Sequence, residues 1–206
     1  MSISADGVGI IILAAGRSAR FGETNKLGAA LNGRPLAAYA AMTAADTPAD
    51  RRLAVLPPTS QPIAEIFHRA GIEVFENTDP SAGQGDSLAL GIRELSDDPC
   101  IQVIFVLLAD MPNVRPAHLT ALSRAIGRTD IAIAESQGRL SPPALFHRRT
   151  FHALGQLTGD QGARALLPQF EVTKVAFASE SLIDIDTTED LQRATDLRSR
   201  QNVLGN

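Results

Sequence analysis

The 206-residue chain is 44% apolar and 20% charged, ordinary globular values that exclude a disordered, collagen-like or coiled-coil chain. A chain of this length hides roughly 70% of its unfolded surface in a core, so it needs no disulfide or structural metal to fold, and a single domain over residues 1–206 is expected. The net charge is −4 and no stretch concentrates Lys and Arg, which argues against a nucleic-acid partner.

The lone cysteine, Cys100, excludes an intrachain disulfide and a thiolate zinc site, and reads as a small buried hydrophobe. His68, His118, His147 and His152 are scattered, with no His-Glu-x-x-His pair. The longest apolar runs, 10–15 and 103–109, fall far short of the ~20 residues a membrane span takes, so no membrane partner is expected. Residues 1–7 carry no Lys or Arg to open a signal peptide, and a cytoplasmic location is expected.

Continuous apolar runs at 8–15, 52–56, 72–75, 102–109 and 130–134 read as strands buried on both faces of a parallel sheet. Between them, 35–45, 61–70, 87–95 and 115–126 carry helical patterns, two of them with Pro35 or Pro116 in the first turn. This alternation predicts an α/β fold with a doubly wound, mostly parallel sheet. The pattern then loosens. Short helices are expected at 149–154 and 161–167, strands at 172–177 and 182–185, and a terminal helix at 188–200 capped by Thr187 or Asp186. Ligands of such sheets bind beyond the carboxyl ends of the strands, so those segments are where chemistry is sought.

After the first strand comes Leu13-Ala14-Ala15-Gly16-Arg17-Ser18-Ala19-Arg20-Phe21-Gly22, followed by Asn25-Lys26-Leu27. Small residues let the backbone approach a ligand, consecutive loop amides cradle an anion, and Arg17, Arg20 and Lys26 supply charge that fits a triphosphate. Two other phosphate loops do not fit. Ser18 stands where the dinucleotide fingerprint needs its second glycine, and five residues separate Gly16 from Gly22 where a P-loop has four. Lys26 is one of only two lysines in the chain, which sets it apart beside this loop.

The run Leu-Ala-Ala-Gly-x-Ser-x-Arg-Phe-Gly with a following Lys resembles the signature of the MobA-like nucleotidyltransferases, and most of all the molybdenum-cofactor cytidylyltransferases. The resemblance implies a three-layer, nucleotide-diphospho-sugar-transferase-like (Rossmann-like) fold, a bound nucleoside triphosphate, a divalent metal and pyrophosphate release. By position, Gly16, Arg17, Arg20 and Lys26 would handle the triphosphate, with Leu13, Ala14 and Ala15 beside the nucleotide. Guanylyl-transferring relatives usually read Leu-Ala-Gly-Gly, so Ala15 favours CTP.

Further along, Gly83-Gln84-Gly85-Asp86-Ser87-Leu88 resembles the family's nucleoside-holding segment and assigns Gly85 and Ser87 to the nucleotide; a Gly-rich turn capped by Asp86 or Ser87 accounts for the same residues. Asp110, directly after the apolar run 103–109, is not needed for folding, and its burial would be costly without a cation; capping the turn before Pro112 is the other reading. Mg²⁺ or Mn²⁺ would offset that cost, and the family's Asp-x-Pro motif matches Asp110-Met111-Pro112. Asp184 and Asp186 resemble the family's second acidic segment; Asp186 is preferred as the second metal carboxylate, with helix capping as the other reading. Gly159-Asp160-Gln161-Gly162-Ala163-Arg164 resembles an acceptor-side segment, although Asp160 also suits a helix cap. Ser141-Pro142 departs from the family's usual Gly-His-Pro step.

The expected function is CMP transfer from CTP to the phosphate of molybdenum-bearing molybdopterin, with Arg20, Lys26 and Asp110 catalytic and a molybdoenzyme as a downstream partner. Transfer to another phosphorylated acceptor, with another base, is one alternative. A non-catalytic carrier of the cofactor is the other.

Overall fold

The computed structural model describes residues 7–15, 21, 25–58, 60–79 and 83–204. Its core is a seven-stranded sheet built from β1 (Val8–Leu13), β4 (Arg51–Leu56), β5 (Glu73–Glu76), β6 (Val103–Leu108), β7 (Ile131–Ser136), β8 (Arg139–His147) and β9 (Val172–Ala176). The order across the sheet is β5-β4-β1-β6-β8-β7-β9. Only β8 runs against its neighbours. A small separate hairpin, β2 (Ala30–Leu31) and β3 (Arg34–Pro35), turns through Asn32 and Gly33, both at positive φ as a two-residue turn of this hand requires.

Alternation along β1 divides the core between two faces. Ile10 and Ile12 cluster with Leu36 and Ala40 of α1 (Leu36–Ala45), Phe67 of α2 (Gln61–Arg69) and Leu119 and Leu122 of α4 (Pro116–Ala125). Ile11 and Leu13 cluster with Leu88, Ile92 and Leu95 of α3 (Gln84–Ser96) and Leu154 of α5 (Phe151–Leu154). Each fully buried side chain of this kind contributes about 1.5–3 kcal/mol. Helices on both faces of a mostly parallel sheet give the expected three layers.

The five apolar runs and four helical patterns all form near their expected bounds. Elsewhere the structure departs from the expectations. Residues 139–147 form β8, which its Pro142-Pro143 pair disguises. Those prolines fall where Ile133 pairs with Ala144 but Ala134 with Ser141, a bulge that needs no donor from either proline. Residues 182–185 are not a strand: a 3₁₀ turn, Ser179–Leu182, leads into extended chain tied to the sheet end by Ile185 N–H donating to the Asp110 carbonyl at 3.0 Å. The 161–167 helix is a 3₁₀ stretch, Gly159–Gln169, broken at Gly162 (φ 53°), and Asp160 caps nothing there. Helix α3 starts three residues before Ser87, with Gly83 (φ 120°) as its cap. Cys100 is exposed, because Ile101 takes the inward position before β6.

The terminal helix α6 (Thr188–Leu204) is capped by Thr187. The Thr187 hydroxyl accepts from Asp190 N–H at 3.1 Å, and the Asp190 carboxylate accepts from Thr187 N–H at 3.0 Å, a reciprocal capping box. The hydrogen bond from the Thr187 hydroxyl, at 2.7 Å, is the main reason that Asp190 titrates below the usual carboxylate range. Thr187→Ala should cost about 1 kcal/mol, seen as a Tm lower by roughly 2–4 °C. Thr187→Ser should restore it.

Candidate active site

Three segments meet at Lys26. Asn25 accepts the Leu27 N–H at 3.0 Å and so caps a single 3₁₀ turn, Lys26–Gly28. That turn buries Leu27 and sends the Lys26 side chain inward, leaving the residue 5% exposed. Its ammonium donates to Asp110 Oδ2 at 2.7 Å and to Asp186 Oδ1 at 2.8 Å. Asp110 sits just past β6, where Ala109 N–H donates to the Leu13 carbonyl at 3.0 Å and joins the ends of β6 and β1. Asp186 arrives just before the capping box of α6.

The electrostatics of this cluster are unbalanced. Burial works against the Lys26 ammonium, but Asp110 and then Asp186 outweigh it and hold its pKa above the ordinary lysine value. Burial pushes the Asp110 carboxyl up; Lys26 pulls it back, while Asp184 and Asp186 push it further up. Among the described residues, one ammonium is bound by the two carboxylates of Asp110 and Asp186, with Asp184 adding its charge against Asp110, and Asp110 Oδ1 is buried without a hydrogen-bond partner. Surplus negative charge and an orphaned oxygen suit a divalent cation. Among the described residues no group of three or more His, Cys, Asp or Glu side chains gathers as a complete metal site. That is compatible with Mg²⁺, which takes one or two carboxylates and fills its shell with phosphate and water.

Two cavities open at the carboxyl ends of the strands. The smaller, about 250 Å³, is lined by Leu13, Ala14, Ala15, Lys26, Ser87 and Asp110 among others. So the structure gathers most of the residues singled out for the nucleotide. Gly16, Arg17 and Arg20 lie outside the described residues. The larger cavity, about 580 Å³, has an apolar floor that includes Val106, Ile133 and Phe146, and a polar rim that includes Arg139, Ser141, Arg164 and Asp184. It opens where β8 leaves β6: their pairing ends at Val106 with Ala144, just before the proline bulge. Asp184 and Asp186 therefore serve different cavities, Asp184 lining the larger and Asp186 bound to Lys26. Leu13, Gln84, Leu108 and Asp160 line both.

Some contributors act in ways the motifs did not indicate. Asn77, which follows β5, donates to the buried Ser87 hydroxyl at 2.9 Å and fixes it at the cavity wall. Asp86 accepts the Gly159 N–H at 2.6 Å, and Gln137 donates to Ser179 Oγ at 2.9 Å across the rim of the larger cavity. Asn77 carries one sequence signal, its place at a strand's carboxyl end, and Asp86, expected as a helix cap, instead ties α3 to the Gly159 backbone.

Comparison with known proteins gives a consistent picture. Residues 10–174 match the MobA-like NTP transferase domain. The purine catabolism protein PucB of Bacillus subtilis (strain 168) is 33% identical over 193 residues, spanning 87% of this chain and 92% of that protein. Among solved structures, Rv0371c of Mycobacterium tuberculosis H37Rv superposes with a TM-score of 0.82 at 24% identity, covering 94% of this chain and 100% of that one. Its complex with manganese gives 0.78 at 23% identity, covering 92% and 98%. The molybdopterin-guanine dinucleotide biosynthesis protein A of Archaeoglobus fulgidus gives 0.71 at 19% identity, covering 93% and 99%. Among the described residues no helix is long and apolar enough to cross a membrane.

The wall between the cavities depends on a missing side chain. A Cβ at Gly85 would lie 2.6 Å from the Gly159 carbonyl oxygen and 3.1 Å from that of Thr158. Gly85→Ala should push α3 off this segment, weaken the Asp86–Gly159 bond and cost about 1–3 kcal/mol. Urea denaturation reads the loss, and the Gly91→Ala variant, which meets only the ends of Ile11 and Val55, provides the comparison.

Proposed function

The chain belongs to the MobA-like NTP transferase family and is a nucleotidyltransferase, and we propose that it transfers CMP from CTP to the phosphate of a molybdenum-bearing molybdopterin, releasing pyrophosphate. One observation carries the reading: a cavity of about 250 Å³ edged by Lys26 and Asp110 shares lining residues with a second cavity more than twice its volume. The larger cavity has room for a bulky ring system over its apolar floor, and Arg139 and Arg164 at its rim suit an anionic tail. The name of the Archaeoglobus fulgidus neighbour supports a molybdopterin acceptor. Ala15 supports cytosine over guanine. Residues 1–206 would act as one transferase domain.

The chemistry asks for positioning more than for a base. An acceptor phosphate is already anionic. Its oxygen attacks the α-phosphorus of CTP, a new P–O–P linkage forms, and the bond to the β-phosphate oxygen breaks as pyrophosphate leaves. Holding the two reactants in adjoining cavities lowers the entropic part of the barrier. Lys26, with Arg17 and Arg20 from the sequence segment before it, would neutralise the departing phosphates. Leu13, Ala14, Ala15, Gly16, Gly85 and the anchored Ser87 would hold the nucleotide. Asp110, with Asp186 as second carboxylate, would hold Mg²⁺ or Mn²⁺, and the manganese complex of Rv0371c supports a divalent ion. When bound, that ion neutralises charge on the phosphates.

Pyrophosphate release with CTP, GTP, ATP and UTP, each with Mg²⁺ and with or without molybdenum-loaded molybdopterin, tests the proposal. CTP should work, and only with the acceptor present. Release with GTP alone would reassign the base, and release with none would remove molybdopterin as the acceptor. Asp110→Asn should lose roughly a hundredfold or more in turnover; because it also removes a buried partner of Lys26 its Tm should fall, and turnover is read at a temperature where the variant is folded. Unchanged turnover at saturating Mg²⁺ would remove Asp110 from this role.

A further inference from the structure

We infer that Lys26 is a built-in stand-in for the metal: without nucleotide its ammonium holds the space between Asp110 and Asp186, so that a divalent ion enters only with a triphosphate that draws Lys26 away. The inference rests on the assignment of Asp110 and Asp186 to the metal. Both carboxylate oxygens lie within 2.8 Å of the same nitrogen. A divalent ion of this kind sits about 2.1 Å from its oxygens. It would need the lone pairs and the space that the ammonium now takes, and the two positive charges would repel. The contact is also sheltered. Lys26 is 5% exposed and the Asp110 side chain 18%, so salt and water screen that contact far less than a surface pair; the Asp186 side chain is 46% exposed, and an entering metal ion would still have to displace the ammonium from both.

A triphosphate changes the balance. Lys26 lies on the wall of the nucleotide cavity, so phosphate oxygens arriving there offer its ammonium new partners without returning it to water. As it moves toward them it vacates the two carboxylates, and the surplus negative charge of Asp110, Asp184 and Asp186 becomes available to the cation. Nucleotide and metal therefore favour each other, and thermodynamic reciprocity requires the coupling to be equal in both directions.

The scarcity of lysine makes the displacement observable. The chain has two, Lys26 and the exposed Lys174, so lysine-selective labelling gives two side-chain NMR signals, and Lys174→Arg assigns them. Mg²⁺ alone should leave the Lys26 signal in place, whereas Mg²⁺ with a non-hydrolysable CTP or GTP analogue should move it. Mn²⁺ binding followed by EPR should be at least about tenfold weaker for the nucleotide-free wild type than for Lys26→Gln, and the analogue should close the gap. Equal Mn²⁺ affinity of the two nucleotide-free proteins, or a Lys26 signal displaced by Mg²⁺ alone, overturns the inference while leaving the metal site standing. If no form binds Mn²⁺ even with the analogue, the metal assignment fails and takes the inference with it. Should Lys26→Gln not fold, the NMR titration of the wild type still decides.

Discussion

An ammonium shared between two carboxylates ties together stretches of chain that are 84 and 160 residues apart. An unpaired charge at this depth costs several kcal/mol, so the turn at Lys26, the end of β6 and the start of α6 must all arrive together. Local structure serves that meeting. Asn25 sets the turn, the Ile185–Asp110 backbone bond brings the acidic segment to the sheet end, and the Thr187–Asp190 box fixes where α6 begins. The apolar clusters on the two faces of the sheet supply most of the stability. The charge cluster specifies how the ends of the strands are arranged, and the site is located at those ends.

What was legible in the sequence follows from that division. The strands at 8–13, 51–56, 73–76, 103–108 and 131–136 could be read because each is an apolar run long enough to signal burial. Strand β8 could not, because Pro142-Pro143 argues against a strand wherever a regular ladder is assumed, and only the pairing with β7 reveals the bulge that accommodates it. The 182–185 segment misled in the opposite direction. Its alternation of Leu, Ile and Asp looks like an edge strand, yet it joins no ladder and is held by one backbone bond, by the burial of Ile185 in the core and by the pull of Lys26 on Asp186. Lys26, Asp110 and Asp186 were each identifiable from the sequence. That they touch one another was not, because a salt bridge across 160 residues leaves no local pattern. Asn77 was overlooked and Asp86 was read only as a helix cap for a related reason: each acts on one neighbour, Ser87 or Gly159, through a contact made only in the folded chain.

Between the cavities stands a thin partition. The first turn of α3 approaches the 158–160 backbone closely enough that Gly83 and Gly85 admit no side chain, and Asp86 fastens the two together. Such a partition determines how near two bound molecules can come. A chemistry that needs no strong base depends on that distance more than on any single side chain. Helix α3 contributes Leu88, Ile92 and Leu95 to the core, so the partition inherits the rigidity of packed secondary structure.

The bulge in β8 has a consequence for how such a protein changes over time. From Ala144 onward β8 is locked to β6 and to the core; from Arg139 to Ser141 it pairs with β7 alone. The prolines act as a joint between a structural half and a half that borders solvent and the larger cavity. Substitutions or insertions around 137–141 can reshape that cavity without altering the registry of the central strands. The molecule therefore separates the part of its sequence that must be kept for folding from the part that can be rewritten for a new acceptor.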